Sequence, residues 1–196
     1  DHPIGEGQRF HNGEMEQKAY DPDKAKWYLK EAGLDSLSVT LHTSDAAFSG
    51  AVDAGVLFQN SAKEAGIDLK VNRAPKDGYW SDVWMKEPFT AVYWGGRPVE
   101  DQMFATAYQC GASWNDSFWC NDRFDELLVK ARAELDEDKR REMYYEMQDL
   151  VGNQGGVIIP MFANYVSAKS DKVVHGEMAS NWEMDGERWM ERWWFA

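Results

Sequence analysis

Between residues 21 and 94 the apolar spacing switches repeatedly between a helical and an alternating period, and this constrains the fold more than any other feature of the chain. Asp21-Pro22-Asp23 opens a helix. Asp21 is an N-cap residue, and Pro22 takes the first helical position, where a missing N–H breaks no hydrogen bond. Ala25, Tyr28, Leu29 and Ala32 form an apolar stripe that Gly33 ends. Leu37–Leu41 alternates apolar and polar residues, the pattern of a strand with one buried face. A second helix is predicted over 47–65, with Ala51, Gly55, Phe58 and Ala62 on one face and Gly66 as its stop. Ile67–Val71 alternates again, a short helix is predicted over 78–85, and a strand over 89–94. Helical connections of this length join parallel strands. The expectation is an α/β fold, a sheet of mostly parallel strands covered by helices.

The stretch from Trp94 to Asn121 is the least regular. It holds Gly95-Gly96, Pro98, Cys110, Cys120 and three of the ten tryptophans, Trp94, Trp114 and Trp119. Loops that leave sheet strands are where α/β proteins bind ligands. Two helices follow. One starts after Asn121 with Phe124, Leu127, Leu128 and Ala131 inward; the other starts near Asp138 with Met143, Tyr144, Met147, Leu150 and Val151 inward. Val157–Phe162 is predicted as a buried strand that Asn164–Ala168 continue. Residues 1–20, with Pro3, Gly5, Gly7 and Gly13, read as a loop or connector, and a tail from Asn181 is rich in Trp without an obvious helical partner.

A length of 196 residues allows one domain, or one and a fragment. The first residues, Asp1-His2-Pro3-Ile4-Gly5, resemble neither a Met start nor a signal peptide and read as the middle of a longer chain. The net charge of −13 repels phosphate backbones and anionic lipid, so nucleic acid is not an expected partner. There is no GxGxxG after a strand, no GxxxxGK[ST], no HExxH and no GxSxG. His2, His11, His42 and His175 are scattered and no Cys/His set has zinc spacing, so neither a metal nor a cofactor is expected. A hydrolytic triad assembled in space stays open. So do a disulfide and two free thiols at Cys110 and Cys120. Asn115-Asp116-Ser117 matches a glycosylation sequon, a triplet common by chance. The acids over 122–150 read as a solvated helix face with pairs such as Glu126 and Lys130.

Six segments, in order, resemble solute-binding proteins of peptide ABC transporters, the extracellular solute-binding family 5. Tyr20-Asp21-Pro22-Asp23-Lys24-Ala25-Lys26 resembles its "YDPxKAKxLLxEAG" helix, and Ala65-Gly66-Ile67-Asp68-Leu69 its "xxGIxVxL" junction. Ala91-Val92-Tyr93-Trp94-Gly95-Gly96 is similar to its strand ending in a Trp beside the ligand. Cys120–Leu128 resembles the "NPxFDxLL" helix start, Arg140–Gln148 the "RxxLYxEAQ" helix and Val157–Phe162 the strand rich in "IPLF".

The resemblance implies a periplasmic binding protein-like fold of two lobes that close on a ligand about a hinge. Residues 1–19 would connect from a missing first lobe, 20–162 would form the second ligand-binding lobe, and 163–196 would return to the first. The implied function is the substrate-binding component of an ABC importer, which captures a peptide or similar small solute and delivers it to permease subunits in the membrane. It implies a monomer in the periplasm, or tethered outside the cell. An oligosaccharide binder using Trp94, Trp114 and Trp119 as stacking platforms is the alternative within the class, and a hydrolase the alternative outside it. The implied ligand-facing set is Trp94, Gly95, Gly96, Arg97, Trp114, Asn115 and Trp119. Family peptide binders place an Asp that pairs with the peptide ammonium where this chain has Arg97. An arginine there suits a carboxylate or phosphate, unless it pairs with Glu100 or Asp101. The family also implies a disulfide between Cys110 and Cys120, flanking this loop.

Overall fold

Asp21 caps α1 (Pro22–Glu31) by accepting the Lys24 N–H at 2.8 Å. Gly33, at φ 74°, ends the helix by letting the Gly33 and Leu34 N–H groups turn back to the Lys30 and Leu29 carbonyls. The apolar stripe is only partly covered: Ala25 and Leu29 are half-buried, while Tyr28 and Ala32 are exposed. β1 (Leu37–Thr43) and β2 (Ile67–Arg73) pair in parallel, from Leu37 against Ile67 to Thr43 against Arg73. Each runs two residues past the alternating pattern. The crossover is α2 (Ala51–Glu64), which buries Ala51, Gly55 and Ala62. Gly55 lets the helix sit close to the strands; a Cβ there would lie 3.3 Å from Val71 and 3.5 Å from Leu41. Leu41, Leu69 and Ala62 form the core beneath it, with Val39, Ile67 and Phe89 packed at its margin.

The computed structural model describes residues 1–179 and 182–196. The Asn181 start of the predicted tail lies outside the described residues. The chain divides into two compact units: Lys18–Trp94, which holds the elements above, and Asp1–Gln17 together with Gly95–Ala196.

Two sequence expectations in the first unit are corrected. The helix expected over 78–85 is a single π-helical turn, Tyr79–Val83. The strand expected over 89–94 is reduced to one parallel bridge between His42 and Thr90. The bridge falls one residue before the end of β1, which leaves the ladder no further strand to follow. His42 N–H bonds the Phe89 carbonyl and Ala91 N–H the His42 carbonyl, each at 2.9 Å. The Tyr79 hydroxyl donates to the Ala91 carbonyl at 2.6 Å and to the His42 carbonyl at 3.1 Å. Tyr79 is buried, and burial pushes its pKa up to about 12.

In the second unit three helices pack together: α3 (Glu100–Ala107), α4 (Asp122–Ala133) and α5 (Glu137–Gln154). Asn121 and Asp136 cap α4 and α5. Phe124, Leu127, Leu128 and Ala131 are all buried, as their spacing predicts. On α5, Tyr144, Met147 and Val151 are buried, and Met143 and Leu150 are half-buried. Burying each large apolar side chain of this set contributes about 1.5–3 kcal/mol. Phe104 of α3 sits 5.3 Å from the Phe124 ring and 6.1 Å from Tyr144. The first seventeen residues form no regular element but pack firmly into this unit. Phe10 stacks on Tyr144 at 5.2 Å. Gln148, fully buried, accepts the Asn12 N–H and donates to the Phe10 carbonyl.

The buried strand expected over 157–162 does not form. Ile158, Met161 and Phe162 are each more than half exposed, at 63%, 58% and 58%. Pro160 has no N–H to give a ladder, and no strand faces this run among the described residues. The aromatic tail does find a partner: β3 (Val173–His175) pairs antiparallel with β4 (Trp193–Phe195). Two short helical turns, Glu183–Gly186 and Trp189–Arg192, lie between them.

Candidate functional site

Trp94 closes the first unit and Gly95 opens the second. The loop Gly95–Arg97 is half-buried and held at all three of its carbonyls. Arg97 turns back on it, Nη1 donating to the Gly95 carbonyl at 2.8 Å and the Gly96 carbonyl at 3.2 Å. The Trp182 indole N–H donates to the same Gly96 carbonyl at 2.6 Å, and Gln8 Nε2 to the Arg97 carbonyl at 2.8 Å. Gly95, Gly96 and Arg97 line an open pocket of about 180 Å³, completed by Tyr165, Trp182, Glu183 and Glu187. Its charge is one guanidinium against two carboxylates.

The two acids nearest Arg97 in sequence are engaged elsewhere. Glu100 is buried at the start of α3, where its Oε1 accepts the Phe10 N–H at 2.7 Å. Asp101 is paired with Arg132 at 2.6 Å. Both serve packing.

The wall that carries Glu183 and Glu187 is one left-handed turn. Met184, Asp185, Gly186 and Glu187 have φ of 48°, 63°, 68° and 62°. Asp185, 2% exposed, fixes it. Its carboxylate accepts the Ala179 N–H at 2.7 Å and the Trp193 indole N–H at 3.0 Å, and pairs with Arg192 at 3.1 Å. The Ala179 N–H above all, then the Trp193 indole and the Arg192 charge, hold this carboxyl below the ordinary aspartate range.

The remaining predicted site residues sit in a second, disulfide-closed loop. Cys110 and Cys120 are bonded, with Cα atoms 4.6 Å apart. Inside the loop Asn115 is 3% exposed and its amide is fully used. Nδ2 donates to the carbonyls of Trp119 at 2.8 Å, Gln109 at 3.1 Å and Tyr108 at 3.3 Å, and Oδ1 accepts the Ser117 hydroxyl at 2.9 Å. The sequon asparagine is therefore a buried staple. Trp119 packs edge-on against Phe124 of α4 at 5.2 Å. Trp114 is half exposed, and Phe118, at φ 55°, is 65% exposed. Thus Gly95, Gly96 and Arg97 come together in one pocket, Asn115 and Trp119 come together in the disulfide loop, and Trp114, Asn115 and Trp119 do not line that pocket.

Sequence reasoning missed Tyr165, Trp182, Glu183 and Glu187. The available signal was two acids four residues apart beside a Trp, in the tail set aside as unpartnered.

Comparison with known proteins agrees with this architecture. The model of the bacterial extracellular solute-binding proteins, family 5 Middle, matches residues 2–116. The dipeptide-binding protein of Escherichia coli K12 is 30% identical over 164 residues, 76% of this chain and 30% of that protein. Di/tripeptide-binding protein 4 of Pseudomonas aeruginosa is 27% identical over 151 residues, 70% of this chain and 27% of that protein. Among solved structures, the ABC transporter-associated periplasmic binding protein DppA from Helicobacter pylori, in complex with peptide STSA, shares the fold with a TM-score of 0.64. It is 24% identical, over 76% of this chain and 30% of that one. The chain spans about 30% of the length of the curated relatives it matches. With a family model covering more than half of it, the chain belongs to the bacterial extracellular solute-binding proteins, family 5.

Proposed function

We propose that this chain is part of the substrate-binding subunit of an ABC importer, which captures a peptide or similar small solute and hands it to permease subunits. The family match carries this reading, and the pocket at the Gly95–Arg97 loop gives it a site. In this reading residues 20–162 furnish one ligand-binding lobe, reached through residues 1–19, and residues 163–196 run toward the other. The protein works outside the cytoplasmic membrane, in the periplasm or tethered at the cell surface. Gly95 and Gly96 let backbone approach the ligand, Arg97 shapes the loop, and the disulfide loop with Trp114 and Asn115 stands as a rigid neighbour.

The subunit binds without turnover. The family match supports this part of the reading. An oligosaccharide platform is less well supported, because Trp119 is packed on Phe124. Calorimetry of the full-length protein tests the reading. Dipeptides should give saturable heat and be recovered intact, while neutral oligosaccharides give none. Saturable binding of oligosaccharide without peptide binding, or cleavage of the peptide, would overturn it.

A further inference from the structure

The Gly95–Arg97 loop is one-sided in its hydrogen bonding. Every carbonyl on it is in use. Gly95 accepts from Arg97 Nη1, Arg97 accepts from Gln8, and Gly96 accepts twice, from Arg97 Nη1 at 3.2 Å and from the Trp182 indole N–H at 2.6 Å. Two bonds fill the lone pairs of a carbonyl oxygen. The donors are open: the Gly95 and Gly96 N–H groups meet no acceptor among the described residues. An extended peptide presents N–H and C=O groups in alternation, so a peptide laid along this loop finds donors there and no open acceptor. Of the two donors that come from outside the loop, Gln8 and Trp182, only Trp182 lines the pocket. Its backbone is pinned. Gly186 N–H bonds the Trp182 carbonyl at 3.3 Å, and the buried Asp185 carboxylate holds the left-handed turn that follows, a conformation costly for L-residues. Its side chain is not enclosed: Trp182 is 37% exposed. Rotation about its own side-chain bonds, with the turn unmoved, frees the Gly96 carbonyl and widens the pocket.

We propose that Trp182 gates the pocket: in the free protein its indole N–H holds the Gly96 carbonyl in the ligand's place, and a backbone N–H of the ligand takes that carbonyl as the indole turns out. This rests on the reading of the Gly95–Arg97 pocket as a ligand site. It makes Trp182 a specificity-determining residue, since a solute with no N–H to offer Gly96 leaves the gate shut. One neutral hydrogen bond favours the closed gate about fivefold, and the apparent affinity falls by about the same factor.

The dipeptide Ala-Ala and its ester analogue alanyl-lactate, which has an oxygen in place of the peptide N–H, test it. Each is titrated into the ¹⁵N-labelled full-length protein while the Trp182 indole and the Gly95 and Gly96 amide resonances are followed. Ala-Ala should shift all three and speed hydrogen exchange at the indole. Alanyl-lactate should bind about tenfold more weakly and leave the indole exchange slow. Trp182→Phe keeps an aromatic wall and removes the donor, and it should bind Ala-Ala about three- to tenfold more tightly than the parent. The gate is overturned, and the pocket left standing, if Ala-Ala shifts Gly95 and Gly96 while the indole stays protected, if the variant binds no more tightly than the parent, or if alanyl-lactate releases the indole as Ala-Ala does. Ala-Ala that binds neither protein, or that binds without shifting Gly95 and Gly96, overturns the pocket as a ligand site and the gate with it.

Discussion

Replacing Asn115 by alanine separates two roles that the same residue could play, ligand contact and loop staple. Its amide donates to three carbonyls and accepts one hydroxyl while only 3% exposed. Two of the donor bonds, to Trp119 at 2.8 Å and Gln109 at 3.1 Å, have strong geometry; the third, to Tyr108 at 3.3 Å, is weaker. A neutral hydrogen bond contributes about 1 kcal/mol net, and a buried group left unpaired costs about 1–3 kcal/mol. Tyr108 is buried and Gln109 and Trp119 are half-buried, so water repairs part of the loss. The expected destabilisation is about 2–4 kcal/mol. With a urea slope of about 2 kcal/mol/M, the midpoint should fall by about 1–2 M with the disulfide intact. Asn115→Asp should be at least as damaging at neutral pH, because it sets a carboxylate against three carbonyl oxygens. It should recover partly in acid, where a protonated carboxyl regains one donor. A loss below about 0.5 kcal/mol together with weakened ligand binding would refute the staple and return Asn115 to the ligand-facing set.

Two further predictions concern the same unit. The bond between Cys110 and Cys120 should leave no reactive thiol in denatured, unreduced protein, and Cys110→Ser with Cys120→Ser should cost about 2.5–3 kcal/mol by the loop-entropy relation, read by urea unfolding. Asp185 should make the tail acid-sensitive. Its carboxyl titrates below the ordinary aspartate value in the folded state, so its stabilisation is complete above about pH 4 and is lost as pH falls through the lower folded value. The Trp193 indole resonance should move in that acid window in the parent, and Asp185→Asn should abolish the movement.

The legible parts of this fold are those where local chemistry and packing agree. Phe124, Leu127, Leu128 and Ala131 are spaced for one helix face and are buried on one. Asp21, Gly33 and Gly66 end their elements through backbone needs that need no tertiary partner. What failed depended on distant groups. Phe89–Trp94 has strand composition, but it meets β1 only at His42, one residue before that strand ends. Val157–Phe162 is apolar, yet apolarity measures the gain from burial and does not supply the covering surface. Helix α3 went unseen because Pro98 and two glycines precede it, although Glu100 and Asp101 favour a helix start. Gln148 shares the stripe of Tyr144 and Val151, but a polar residue there is recognisable as core only once Phe10 and Asn12 supply its partners. At the site, the glycine-rich loop was legible, and its opposite wall was not, since Glu183 and Glu187 lie some ninety residues away.

Mass spectrometry of the full-length protein, purified natively without added ligand, tests the central claim most directly. The account predicts a stoichiometric co-purifying molecule that is released on denaturation and fragments as a peptide or peptide-like amine. A sugar in its place would contradict the claim, and so would a bound species identified as the product of a reaction the protein performs.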